Sequence, residues 1–197
     1  MKKLSLLSLS LLIILFVGNS SAQLALNPSM TPQQLVQNVL VGTGVQVSNI
    51  TFSGAPIAIA AFSNGQSTNI GLNNGILLTS GSASNAVGPN VQGGITTVNN
   101  MPGDIDLNGL IPGYTTNDAS VIEFDFTPLS DTLRFRYVFG SDEYNEFVNI
   151  SFNDVFGFFI SGPIPGGGTY ASTNIAYLPG STTPVSINNV NNGTANP

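Results

Sequence analysis

The sequence has no cysteine, no histidine and no tryptophan. Its few cations are Lys2, Lys3, Arg134 and Arg136. Without cysteine there can be no disulfide framework and no acylated lipoprotein cysteine, so the fold must stand on its core and on any bound ions. Without histidine or cysteine, the usual zinc sites are excluded, and serine nucleophiles lack their usual base. From residue 23 onward only two arginines oppose ten carboxylates. Phosphate backbones demand several cations on one face, so nucleic acid is excluded as a partner, and anionic membrane surfaces are disfavoured on the same ground. Charged residues make up only 7% of the chain, which could signal disorder, but apolar residues make up 42%. That is too many for a disordered chain and fits short strands joined by Asn/Gly turns.

The amino terminus reads as an address. Lys2 and Lys3 precede an apolar run from Leu4 to Val17, and Ser20-Ser21-Ala22 places small residues where signal peptidase cuts. Residues 1–22 are therefore expected to be a signal peptide, cleaved between Ala22 and Gln23. A membrane anchor is the competing reading, but the run is short for a span. Removal leaves about 175 residues, 23–197, the length of a single domain, with no membrane insertion after cleavage. The Asn-x-Ser/Thr triplets at Asn49, Asn149 and Asn192 are what chance gives in so Asn-rich a chain.

One helix is signalled. Thr31 can cap it, Pro32 suits its first position, Gln34 completes a capping box, and Leu35, Val36, Val39 and Leu40 form an apolar stripe. Gly42 is expected to end it in a left-handed conformation. Strand-like runs follow at 45–52, 56–62, 75–79, 120–126, 133–139, 155–161, 174–178 and 185–190, separated by turn residues such as Asn64-Gly65 and Gly166-Gly167-Gly168. The stretch from Ser80 to Thr116 has weak periodicity and reads as a long excursion. The expected fold is all-β, a β-sandwich or jelly-roll-like domain with one short N-terminal amphipathic helix.

One pairing follows from charge and pattern. Closing a hairpin through Pro128 to Asp131 sets Asp125 opposite Arg134 and Glu123 opposite Arg136, with Ile122, Phe124, Phe126, Leu133, Phe135 and Tyr137 on the core face. Both arginines are then structural. An arginine clamp for an anionic ligand is the alternative.

The densest polar cluster lies between residues 140 and 154 and contains Asp142, Glu143, Glu146 and Asp154. With no cation nearby in sequence, these carboxylates repel one another unless neutralised. Ca²⁺ is the candidate cofactor, because it is a hard cation that takes six to eight oxygens in a flexible site. The alternative is that these acids cap turns or bond to backbone N–H groups. A second segment, Asp104-Ile105-Asp106-Leu107-Asn108-Gly109, opens like a calcium loop. Its twelfth position is Thr115 rather than Glu, so an EF-hand is rejected, and an Asx-rich turn is favoured over a partial site at Asp104, Asp106 and Asn108. A carboxylate pair drawn from Asp142, Glu143, Glu146 and Asp154 could hydrolyse glycosides, but sugar sites usually want a large stacking surface and there is no Trp. A non-enzymatic role is expected.

Several stretches are distinctive together: Gly75-Ile76-Leu77-Leu78-Thr79-Ser80-Gly81, Asn117 to Phe126, Phe135-Arg136-Tyr137-Val138-Phe139-Gly140-Ser141-Asp142-Glu143-Tyr144, Phe152 to Gly162, and Pro184 to Asn188. In this order, from about Thr31 to about Asn191, the chain resembles the choice-of-anchor L domain of exported bacterial proteins. The resemblance implies display at, or release from, the surface of a Bacteroidetes-type bacterium, ahead of a C-terminal anchoring or sorting domain. No such domain follows Pro197, so the chain is expected to be truncated. The resemblance carries over no catalytic residue and no ligand. The function expected is a secreted or cell-surface binding or structural module, calcium-stabilised, within a larger adhesin-like protein. Its ligand would be an extracellular protein or glycan. A secreted carbohydrate-active hydrolase is the alternative, and a purely structural spacer is a third reading.

Overall fold

The computed structural model describes residues 23–42, 44–90, 93–129 and 132–191. The expected signal peptide lies outside the described residues. The regular structure of the described residues is mostly strand, in antiparallel sheets, with little helix.

Strand β1 (Ala25–Asn27) leads into α1 (Pro32–Leu35). The start of α1 is dictated locally. The Thr31 hydroxyl accepts from the Gln34 N–H at 3.2 Å, and the Gln34 side chain accepts from the Thr31 N–H at 2.9 Å. This reciprocal box satisfies two backbone donors that the first turn would otherwise leave open. The helix continues as one wider turn over Val36–Leu40, closed by Val41 N–H to Val36 O at 3.0 Å. The end expected at Gly42 is thus supplied by that wide turn, and Val41 is already extended.

Strands β2 (Val45–Ser53), β3 (Ile59–Ser63), β4 (Gly75–Leu78) and β5 (Val121–Pro128) complete the amino-terminal part. One sheet has the order β1-β3-β4, and β2 pairs with β5. Leu35, Ile59 and Ala61 are buried together, and Phe52, Ile76, Leu78 and Ile122 pack against them. The helix and both sheets therefore share one core. Between residues 80 and 120 lie a short helical turn over Ala83–Val87, the helix α2 (Ile105–Leu110) and an isolated bridge between Pro102 and Asn117.

The carboxyl-terminal part consists of β6 (Val155–Phe156), β7 (Phe159–Pro163), β8 (Thr169–Asn174) and β9 (Val185–Ser186), paired β6-β9 and β7-β8.

The hairpin between 121–126 and 133–137 is not formed. β5 pairs instead with β2, with Val47 opposite Phe126 and Thr51 opposite Glu123. A register shift between Ser48 and Thr51 lets the Asn49 side chain donate to Asp125 at 2.6 Å, the role expected of Arg134. The alternation along β5 was legible all the same: Glu123 and Asp125 are exposed while Ile122 packs on the core. Residues 132–140 carry no regular structure, and Arg134 and Arg136 are exposed.

Candidate functional site: an acidic bay

The bay is built where the loop 140–154 meets β6 and β9. Its floor is fixed by backbone. Ile187 N–H donates to Asp154 O at 3.0 Å, and Val155 stands opposite Ser186 in the β6-β9 pair. Asn188, just past β9, ties the loop down. Its side-chain oxygen accepts from the Asn149 N–H at 2.6 Å, its N–H donates to the Asn153 side chain at 3.2 Å, and its amide donates to the Tyr114 hydroxyl at 3.2 Å. Within the loop, Phe147 N–H to Glu143 O closes a tight turn.

Ser141 bridges the two ends of the loop. Its hydroxyl donates to Asp154 at 3.4 Å and accepts from the Glu143 N–H at 3.1 Å. Asn90, some fifty residues upstream, donates its side-chain amide to Asp142. Burial pushes the Glu143 carboxyl up to about 7, with further repulsion from Asp154 and Asp142. Burial likewise raises Asp142. Asp154 also rises, first through crowding of its carboxylate by protein and then through Asp142, against the lowering hydrogen bond from Ser141. Part of Asp154 nevertheless stays open to water, so its crowding counts for less than that of an enclosed group. Burial raises the Tyr144 hydroxyl, and Asp154 adds to the effect. One Glu143 oxygen, Oε2, and the Tyr144 hydroxyl are buried without a hydrogen-bond partner.

The structure therefore brings Asp142, Glu143 and Asp154 into one electrostatic neighbourhood and leaves Glu146 out of it. The Glu146 carboxylate lies over Gly93. Among the described residues, no three acidic side chains converge closely enough to form a ready-made metal centre. Sequence reasoning missed Asn90, and no local signal could have found a partner so far along the chain.

The second acidic segment is divided among structural tasks. Asp104 caps α2 by accepting from the Leu107 N–H at 2.9 Å. Asn108 accepts from the Thr116 N–H at 2.7 Å and the Thr116 hydroxyl at 2.8 Å. Asp106 accepts from the Ser172 hydroxyl at 2.6 Å. Each of these three side chains has at least one protein donor. A short helix stands where the sequence suggested a turn.

Residues 24–197 match the model of the Choice-of-anchor L domain. The chain belongs to this family. No curated protein and no solved structure matches it. Choice-of-anchor L domains are surface-associated modules of exported proteins and are generally non-catalytic. In this Choice-of-anchor L domain, no helix among the described residues is long and apolar enough to cross a membrane.

Proposed function

We propose that this Choice-of-anchor L domain is a non-catalytic binding and structural module of a larger, surface-anchored adhesin-like protein, exported by way of residues 1–22 and stabilised by Ca²⁺ in the acidic bay. The observation that carries the calcium reading is the bay itself. Glu143 is repelled by both Asp154 and Asp142, one of its oxygens is buried and unpartnered, and no cation among the described residues offsets the charge. A Ca²⁺ ion tolerates irregular geometry and accepts backbone and amide oxygens beside carboxylates, so the loop need move only enough to let the acids converge on it. The β-sandwich reading of the fold also belongs to this proposal. It rests on the shared core between the β1-β3-β4 sheet and the β2-β5 pair.

The test is thermal unfolding in excess EDTA and then in millimolar Ca²⁺. An ion present at a hundred times its dissociation constant stabilises by about 2.7 kcal/mol. A rise in Tm of several degrees is expected, and it should vanish in Asp142→Asn/Asp154→Asn. An unchanged Tm would remove the metal and leave a plain structural module.

A second reading is favoured by one feature. A carboxyl pushed up to about 7 by burial and by neighbouring carboxylates resembles the general acid of a glycoside hydrolase. In that case Glu143→Gln would abolish hydrolysis of a glycan with the fold unchanged. Glycan binding without turnover by the unmodified protein would sink this second reading.

A further inference from the structure

We propose that residues 133–139 form an interaction edge for a second copy of this chain, each copy laying that segment along the free edge of the other's β5. Three observations meet here. First, β5 is hydrogen-bonded to β2 on one side, and no strand among the described residues occupies its other side. Second, among the described residues no backbone hydrogen bond is made by 133–139, although the sequence is strand-like. Third, the charge balance is one-sided. Arg134 and Arg136 are the only cations after residue 3, and neither forms an ion pair among the described residues.

The segment is held in place without being zipped up. Phe135 packs on Phe158 with ring centres 4.4 Å apart, and Tyr137 packs on Phe156 at 5.0 Å. Phe126, Leu133 and Phe135 line one apolar groove of about 200 Å³ with Tyr170. Even so, Phe135, Tyr137 and Val138 remain 36%, 44% and 52% exposed. A row of open backbone groups flanked by exposed aromatics is a template for strand addition.

The occupant is argued from complementarity. An antiparallel pairing that sets Glu123 opposite Arg136 also sets Asp125 opposite Arg134, and it aligns Phe124 with Phe135. A one-residue slip would place Arg against Phe and lose every charge pair. Because each copy carries both halves, the contact is reciprocal and closes as a two-fold dimer. Asp125 is already engaged by Asn49, so Glu123 with Arg136 is the diagnostic pair.

The experiment is sedimentation of the exported chain across a concentration series, with Glu123→Lys and Arg136→Glu made separately. The unmodified chain is expected to dimerise, and each single variant should weaken the dimer at least about tenfold, roughly 1.4 kcal/mol. Mixing the two variants in equal amounts should restore it, because one of the two reciprocal contacts then pairs Glu123 with Arg136 again while the other pairs Lys with Glu. The double variant Glu123→Lys/Arg136→Glu should dimerise by itself. A chain that stays monomeric throughout overturns the proposal. So does a dimer indifferent to both substitutions, or a mixture that shows no rescue while circular dichroism reports both variants folded.

Discussion

Protonating Glu143 relieves two costs at once: the burial of a charged carboxylate and its repulsion from Asp154 and Asp142. In the unfolded chain this carboxyl releases its proton near 4.5, whereas the folded protein holds it to about 7. Between those values the folded state binds more protons than the unfolded one, so stability falls as pH rises through the window. Without Ca²⁺, Tm is expected to climb by a few degrees between pH 8 and pH 5.5. Glu143→Gln should be the more stable protein at pH 8 and should flatten that slope. A calorimetric pH series on both proteins checks it, and an unchanged slope in the variant would assign the effect to other groups. At the same scale, Gly103 has no room for a side chain, because a Cβ there would run into the Thr116 carbonyl. That backbone carbonyl is held by the neighbouring Pro102–Asn117 bridge, so it cannot yield cheaply. Gly103→Ala should cost about 1–3 kcal/mol by overpacking, readable in urea unfolding.

At the scale of elements, what could be read from the sequence depended on how local the cause was. The start of α1 was legible to the residue because a capping box is complete within four positions. Thr31→Ala removes the acceptor for the Gln34 N–H and should cost about 1 kcal/mol, lowering Tm by roughly 2–4 °C in a chain of this size. Strand β5 was legible in its faces and not in its neighbour. A period of two says which side of a strand is apolar, but it does not say which strand lies alongside. Strand β2 alternates as well, and the shift beside Asn49 brings that amide onto Asp125. The short strand β1 and the polar strand β8 carry no period to detect. Segment 133–139 has the period but lacks the partner. In the bay, the density of acids was visible in the sequence. The divergence of Glu146 toward Gly93 and the arrival of Asn90 depend on how distant loops fold together.

Across the whole molecule, stability is expected to be uneven, because the two parts are held by ladders of different length. β2 and β5 pair over seven register positions, while β6 and β9 pair over two. The amino-terminal part also owns the Leu35–Ile59–Ala61 core, in which Leu35 of α1 is fully buried against β3 and the partly buried Phe52 and Ile122. A long ladder over a buried core opens only with global unfolding, whereas a two-position ladder has few backbone bonds to break and can open locally even though Val185, Ser186 and Ile187 are buried. Hydrogen exchange should therefore protect the β2 and β5 amides most and those of β6 and β9 least. Leu35→Ala removes the side chain that joins helix and sheets and should cost about 2–5 kcal/mol. If the weaker ladder opens independently, that substitution lowers protection in β2 and β5 and leaves exchange in β6 and β9 unchanged, since their opening never required the core to break. Equal loss in both parts would instead make the acidic bay, which rests on Asp154 and Ile187 at the β6-β9 pair, a member of the same cooperative unit as the core. Any Ca²⁺ bound there would then stabilise the whole chain and not the bay alone.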